Sequence, residues 1–135
     1  MIAGYNEVMP NAATEPFDPD WDGLGRYEMA GWLMVFTARA RGGIVGYNLL
    51  TVAPNLFCRT MLRATGISFW LHPAYRSGWN GVRLICRPEH RLRGEGVQKV
   101  RYMPQFKFQA ERGGVGRLLD RCGYHPLETI HEKVL

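Results

Sequence analysis

Gly66-Ile67-Ser68-Phe69-Trp70-Leu71, then His72-Pro73-Ala74-Tyr75-Arg76-Ser77-Gly78-Trp79-Asn80-Gly81, then Val82-Arg83-Leu84-Ile85-Cys86-Arg87-Pro88-Glu89-His90-Arg91-Leu92-Arg93 is the stretch that decides the fold. Its first six residues read as a buried strand. Val82, Leu84, Ile85 and Leu92 fall on or near one face of a helix. The loop between them carries two glycines. A strand that passes through such a loop into a helix can aim several backbone N–H groups at one point, and the helix dipole adds partial positive charge there. Gly78 and Gly81 permit close backbone approach or unusual dihedrals. Arg76 supplies a forked cationic donor suited to phosphate. The chemistry implied is diphosphate binding, although strand–glycine–helix turns also serve packing. Pro88 lacks an N–H and is expected to kink or loosen the helix. Gly94 and Gly96 are expected to end it.

Outward from this stretch, residues 31–38 and 44–52 are apolar on nearly every position and read as a hairpin turned by Arg39-Ala40-Arg41-Gly42-Gly43. Asp18-Pro19-Asp20 reads as a helix start, with Asp18 as cap and Pro19 at the first helical position, and the helix runs to about Ala30. Residues 1–17 lack a period and read as an arm. Further on, 97–103 reads as a strand, 112–122 as a helix and 124–135 as a final strand or two. These elements predict one α/β domain over 1–135, with a mixed, mostly antiparallel sheet of about six strands and helices on both faces.

At 135 residues the chain is about one domain long. No apolar run is long enough to span a bilayer. Residues 1–15 have neither a basic start nor an apolar core, so a cytoplasmic protein is expected. Cys58, Cys86 and Cys122 are odd in number, widely spaced and without zinc-type partners among His72, His90, His125 and His131. They read as reduced thiols, and no metal site is expected.

Charge is uneven. Residues 1–28 hold Glu7, Glu15, Asp18, Asp20, Asp22 and Glu28 against Arg26, while residues 29–88 hold seven arginines and no carboxylate. A carboxylate-free, arginine-bearing middle suits an anionic ligand, a nucleotide cofactor or a nucleic-acid backbone. A solvated basic surface explains most of the individual arginines. Phe69, Trp70 and Trp79 would suit base stacking, but the first two sit in an apolar strand and no nucleic-acid motif accompanies them. Nucleic acid is therefore the less favoured partner.

Pro73-Ala74-Tyr75-Arg76-Ser77-Gly78-Trp79-Asn80-Gly81 resembles the Pro-x-Tyr-Arg-Gly-x-Gly-x-Gly signature of the Gcn5-related N-acetyltransferases. Pro, Tyr, Arg and the last Gly match. Trp79 replaces the middle Gly, and Gly78 stands one position earlier. Phe36 to Tyr47, with Val45-Gly46-Tyr47, is similar to the family's second and third strands. Leu92-Arg93-Gly94-Glu95-Gly96-Val97 resembles the end of its third helix, Leu118 to Tyr124 its late helix, and Lys133-Val134-Leu135 its closing strand. The pieces occur in order over about 18–135.

The resemblance implies acyl transfer, with acetyl expected, from coenzyme A to a primary amine on a small molecule or protein. It places acetyl-CoA where the family's fourth and fifth strands, here 66–71 and 97–103, run parallel and splay apart. The diphosphate would meet the N–H groups of Ser77, Gly78, Trp79, Asn80 and Gly81 together with Arg76, and the pantetheine would pair with the backbone near Trp70 and Leu71. A homodimer is compatible with this reading. The family's proton-transfer residues do not carry over: 66–71 holds no Glu, and Leu119 stands where a Tyr is usual. Asp20, Asp22 and Glu28 would line the acceptor side, with Glu28 the substrate-binding candidate. Capping and solvation explain Asp20 and Asp22 equally. Ser68 could hold a relay water, and Tyr47 or Tyr75 could donate a proton, although all three read equally well as packing residues. A descendant that keeps the fold only to bind protein or nucleic acid is the alternative.

Overall fold

The structure is a computed structural model that describes residues 16–103 and 114–127. In order these form α1 (Trp21–Met29), β1 (Leu33–Ala40), β2 (Gly43–Asn55), β3 (Cys58–Leu71), a 3₁₀ turn (Pro73–Tyr75), α2 (Asn80–Gly94), β4 (Val97–Tyr102) and α3 (Val115–Arg121). The strands form one sheet in the order β1-β2-β3-β4. The first two pairings are antiparallel and β3 runs parallel to β4, so 66–71 and 97–103 share one sheet as expected. A parallel pair needs a crossover, and α2 is that crossover.

Several boundaries differ from the sequence reading. The helix start lies two residues later than expected: Asp20 is the N-cap of α1, its carboxylate accepting from Gly23 N–H at 2.8 Å. Asp18 and Pro19 precede the helix. β3 begins at Cys58, eight residues before the expected strand, because its first half pairs with the extension of β2 from Ala53 to Asn55. Four strands stand among the described residues where about six were expected. Residues 124–127 are not a strand, and the expected closing strand at 128–135, the helix residues 112–113 and the arm before residue 16 lie outside the described residues.

The β1–β2 turn places Arg41 at φ 50° and Gly42 at φ 79°. Two successive positive φ values are those of a tight hairpin turn matched to strand twist, and Gly42 takes its value without steric cost. One face of the sheet carries the main core: Leu50, Val52 and Ala64 pack with Leu92 of α2 and Val97 of β4. At about 25 cal/mol per Å² of apolar surface, side chains of this size contribute roughly 1.5–3 kcal/mol each when fully buried.

α2 does not break at Pro88. It runs as one helix from Asn80 to Gly94 with Pro88 buried inside it. The missing N–H of Pro88 leaves the carbonyl four residues back, that of Leu84, without its helical donor. Asn48, fully buried at the centre of β2, donates its Nδ2 to that carbonyl at 3.0 Å. The sheet thereby supplies the bond the helix lacks.

A double-mutant cycle tests this substitution of donors. Asn48→Leu keeps bulk and removes the donor, so an orphaned carbonyl is expected to lower stability by about 1–3 kcal/mol. In a Pro88→Ala background the helix regains its own donor. The cost of Asn48→Leu is then expected to shrink, with a coupling of roughly 0.5–3 kcal/mol by denaturant unfolding.

Candidate functional site

β3 is longer than its pairing with β4. It pairs with β2 to its last residue, Leu71 opposite Gly46, but with β4 only from Leu62 to Gly66. The described pairing of β3 with β4 ends at Gly66, and among the described residues Ile67 to Leu71 has no β4 partner. His72 N–H donates to Val45 O at 2.8 Å, so strand alternation turns the amides of Trp70 and Ser68 toward β2 and leaves those of Phe69 and Leu71 on the open side. The backbone amide of Trp70 thus faces β2, while those of Phe69 and Leu71 face away from it. The Trp70 ring stacks on Tyr47 at 6.0 Å and meets the edge of His72 at 5.9 Å.

The loop that follows is held from several directions. His72 caps the 3₁₀ turn through Nδ1, which accepts from Ala74 N–H at 3.2 Å. Arg76 donates Nε to Leu71 O at 2.7 Å, which fixes the root of its guanidinium at the end of β3. Asn80 Nδ2 donates to Tyr75 O at 3.1 Å and Ser77 O at 3.5 Å. Gly78 sits at φ 69°, a left-handed conformation that a side chain would strain. No side chain bonds the start of α2 and its first turn holds no acid. The first N–H groups of a helix lack intrahelical acceptors and attract anions.

Gly81 also has a packing role. A Cβ there would come within 3.0 Å of Leu118, so the glycine lets α2 pack closely on α3. Ser77, Gly78, Trp79 and Asn80 are exposed at the loop surface, and Gly81 is buried beneath them.

A polar cluster lies where β3 and β4 part. Asn48 Nδ2 also donates to the Tyr102 hydroxyl at 2.7 Å, and the Tyr102 ring covers Gly66, where any Cβ would collide with it. Asn48 pairs with Phe69, so the Tyr102 hydroxyl lies beside the unpaired part of β3. Burial pushes the Tyr102 phenol up to about 12; the Asn48 bond opposes this and Glu89 reinforces it. Tyr124 packs edge-to-face on Tyr102 at 5.3 Å and donates its hydroxyl to Glu89 Oε1 at 2.9 Å. Its phenol is also raised, by burial first and by Glu89 second. Burial and the neighbouring Cys86 push the Cys122 thiol up to about 12. Asn48 Oδ1 has no hydrogen-bond partner among the described residues.

No family model and no curated protein matches the chain. Solved structures do. An aminoglycoside acetyltransferase from an uncultured soil metagenomic sample, in complex with trehalose, superposes with a TM-score of 0.75 at 13% identity, over 98% of this chain and 86% of that one. AAC(6')-Iy, in complex with the bisubstrate analogue CoA-S-monomethyl-acetylneamine, gives 0.68 at 14% identity, over 99% and 90%. A ribosomal-protein-alanine N-acetyltransferase from Brucella melitensis biovar Abortus 2308 gives 0.65 at 12% identity, over 99% and 93%. This chain has the Gcn5-related N-acetyltransferase fold.

Within that fold the expected acceptor residues do not gather at the strand divergence. Glu28 is exposed in the last turn of α1, which packs on β1, and β1 is two strands from β3. Asp20 is used as a cap and lies 3.7 Å from Arg26. Leu119 is buried. Asn48 and Tyr102 are the residues that sequence reading missed. An asparagine inside the apolar run Ile44 to Val52, together with a proline four residues past Leu84, was the available signal.

The raised Tyr102 phenol has a consequence at alkaline pH. Its protonated form is favoured in the folded state, so the stabilisation is complete below pH 10 and is lost as pH rises from 10 to about 12. Tyr102→Phe is expected to make the alkaline loss of stability shallower, read from denaturant unfolding at pH 9, 10 and 11. An identical slope in both proteins would contradict this placement of the phenol.

Proposed function

We propose that this chain moves an acyl group, acetyl in the first instance, from coenzyme A to a primary amine. One observation carries the reading. The strand that loses its β4 partner past Gly66 leads within a few residues into a loop and helix N-terminus built for an anion. An open strand edge and an anion cradle at its end match a long ligand with an amide-bearing arm and a diphosphate.

The residues present fit such a cofactor. Ser77, Gly78, Trp79 and Asn80, with Gly81 below them, would direct N–H groups at the diphosphate, and the Arg76 guanidinium adds charge. The amides of Phe69 and Leu71 would hold the pantetheine arm. When bound, coenzyme A supplies a thioester carbonyl open to attack by a neutral amine. Tyr102 retains its proton at neutral pH and stands at the parting of the strands. It is the proposed source of the proton that a leaving thiolate requires. Asn48 donates to the Tyr102 oxygen and so orients that proton away from itself. Glu28 remains a proposed contact for a cationic part of the acceptor remote from the reacting amine.

The absence of a carboxylate on Ile67 to Leu71 and the buried Leu119 favour a second reading, a domain that keeps the fold for binding alone. Calorimetric titration with acetyl-CoA separates the two. The catalytic reading predicts saturable binding that Arg76→Ala weakens by about 1.5–3 kcal/mol. Absence of binding at millimolar acetyl-CoA, with the fold intact by circular dichroism, would leave the second reading.

A further inference from the structure

The edge of β3 beyond its described pairing with β4 has a definite inner end. In the β2 register Gly66 faces Leu50 and Ser68 faces Leu49, so Ile67 between them is the extra residue of a β-bulge. A bulge bends its strand and sharpens the twist. The described pairing with β4 stops one residue before this bulge, at Gly66 opposite Tyr102. The step from Leu71 back to Gly66 is five residues, about 17 Å along a strand. In the acyl-transfer reading the diphosphate lies beyond Leu71, so the pantetheine arm runs back along this edge. Extended, with its two amides and terminal thiol, the arm has a length of the same order. Its thioester end therefore arrives at the bulge, and the acyl group comes up against Tyr102.

Tyr102 is a stiff wall. Its ring lies directly on Gly66, with no room for a Cβ between them. Asn48 Nδ2 holds the hydroxyl at 2.7 Å, and the Tyr124 ring packs edge-to-face at 5.3 Å. Asn48 is itself anchored to Leu84 O at 3.0 Å. The ring also packs against the core cluster that contains the fully buried Leu50. To swing aside it would have to give up the Asn48 bond and the Tyr124 contact together. Close-packed surroundings of this kind accept added methylenes poorly.

We propose that the Tyr102 ring sets the length of the acyl group: it closes the inner end of the slot, so that acetyl is accepted and longer straight-chain acyl groups are refused. The proposal rests on the acyl-transfer reading and deepens it. The side chain then has two separable parts. The hydroxyl faces the leaving thiolate, and the ring limits size.

Calorimetric titration with acetyl-CoA, butanoyl-CoA and hexanoyl-CoA, in the absence of an amine, tests this in wild type, Tyr102→Phe and Tyr102→Leu, with the fold checked by circular dichroism. Wild type is expected to bind butanoyl-CoA at least about tenfold more weakly than acetyl-CoA, the scale on which apolar pockets sort chains by methylene, and hexanoyl-CoA no better than butanoyl-CoA. Tyr102→Phe keeps the ring and is expected to keep this order. Tyr102→Leu removes the ring and is expected to bring butanoyl-CoA to near parity with acetyl-CoA. Should Tyr102→Leu not fold, Tyr124→Leu frees one side of the ring and is expected to recover part of the butanoyl-CoA affinity. Equal affinities for the three chain lengths in wild type, or a discrimination that neither leucine variant relaxes, overturns the proposal and leaves acyl transfer standing. Loss of the order in Tyr102→Phe would assign it to the hydroxyl and also overturn the role of the ring. Binding of none of the three overturns the acyl-transfer reading, and this proposal with it.

Discussion

Pro88 removes an N–H from the middle of α2, and Asn48 replaces it from the middle of the sheet. Buried polar groups left unpaired cost about as much as a whole hydrogen bond, so this donation fixes how the helix lies on the strands. The same amide reaches the Tyr102 hydroxyl, which ties the end of β4 into the arrangement. One side chain on β2 therefore holds the crossover helix and the departing strand together. The glycines follow from this closeness: Gly66 lies under the Tyr102 ring, and Gly46 faces Leu71 and Leu84 without room for a Cβ.

The candidate site is a consequence of where that tie acts. β4 pairs with β3 up to the residue beneath Tyr102 and no further. Beyond it β2 is the only strand beside β3 among the described residues, and the amides of Phe69 and Leu71 face its other edge. Unpaired strand edges in a folded domain are normally covered or filled. Here the open edge ends at a loop that Arg76, Asn80 and His72 hold in shape, and at a helix start with no side-chain cap. In the proposed reading the edge, the loop and the helix terminus together receive the cofactor.

Much of the fold was legible in the sequence because its signals are local. The strand 66–71, the glycine-bearing loop and the helix beyond it appear where the apolar pattern and the turn residues put them. That the strand holding 66–71 runs parallel to the one at 97–102 follows from the helix between them. What depends on distant partners was not legible. Residues 58–65 are strand because β2 extends to meet them, and nothing in Cys58 to Thr65 has the apolar run of a buried strand. Pro88 reads as a kink or loose point in the helix until the donor on β2 is known. Gly81 reads as a ligand-facing glycine, and its packing against Leu118 had no signal in the sequence. For the acceptor side, the acidic run before residue 29 drew attention to Glu28.

The central claim is that the unpaired edge of β3 beyond Gly66 is the cofactor slot. Amide hydrogen exchange with and without saturating coenzyme A tests it most directly. The amides of Phe69 and Leu71 are expected to slow markedly when coenzyme A is added, along with those of the Ser77 to Gly81 loop. The amides of Ala64 and Gly66, already inside the four-stranded sheet, are expected to change little. Unchanged exchange at Phe69 and Leu71 under saturating coenzyme A would contradict the account.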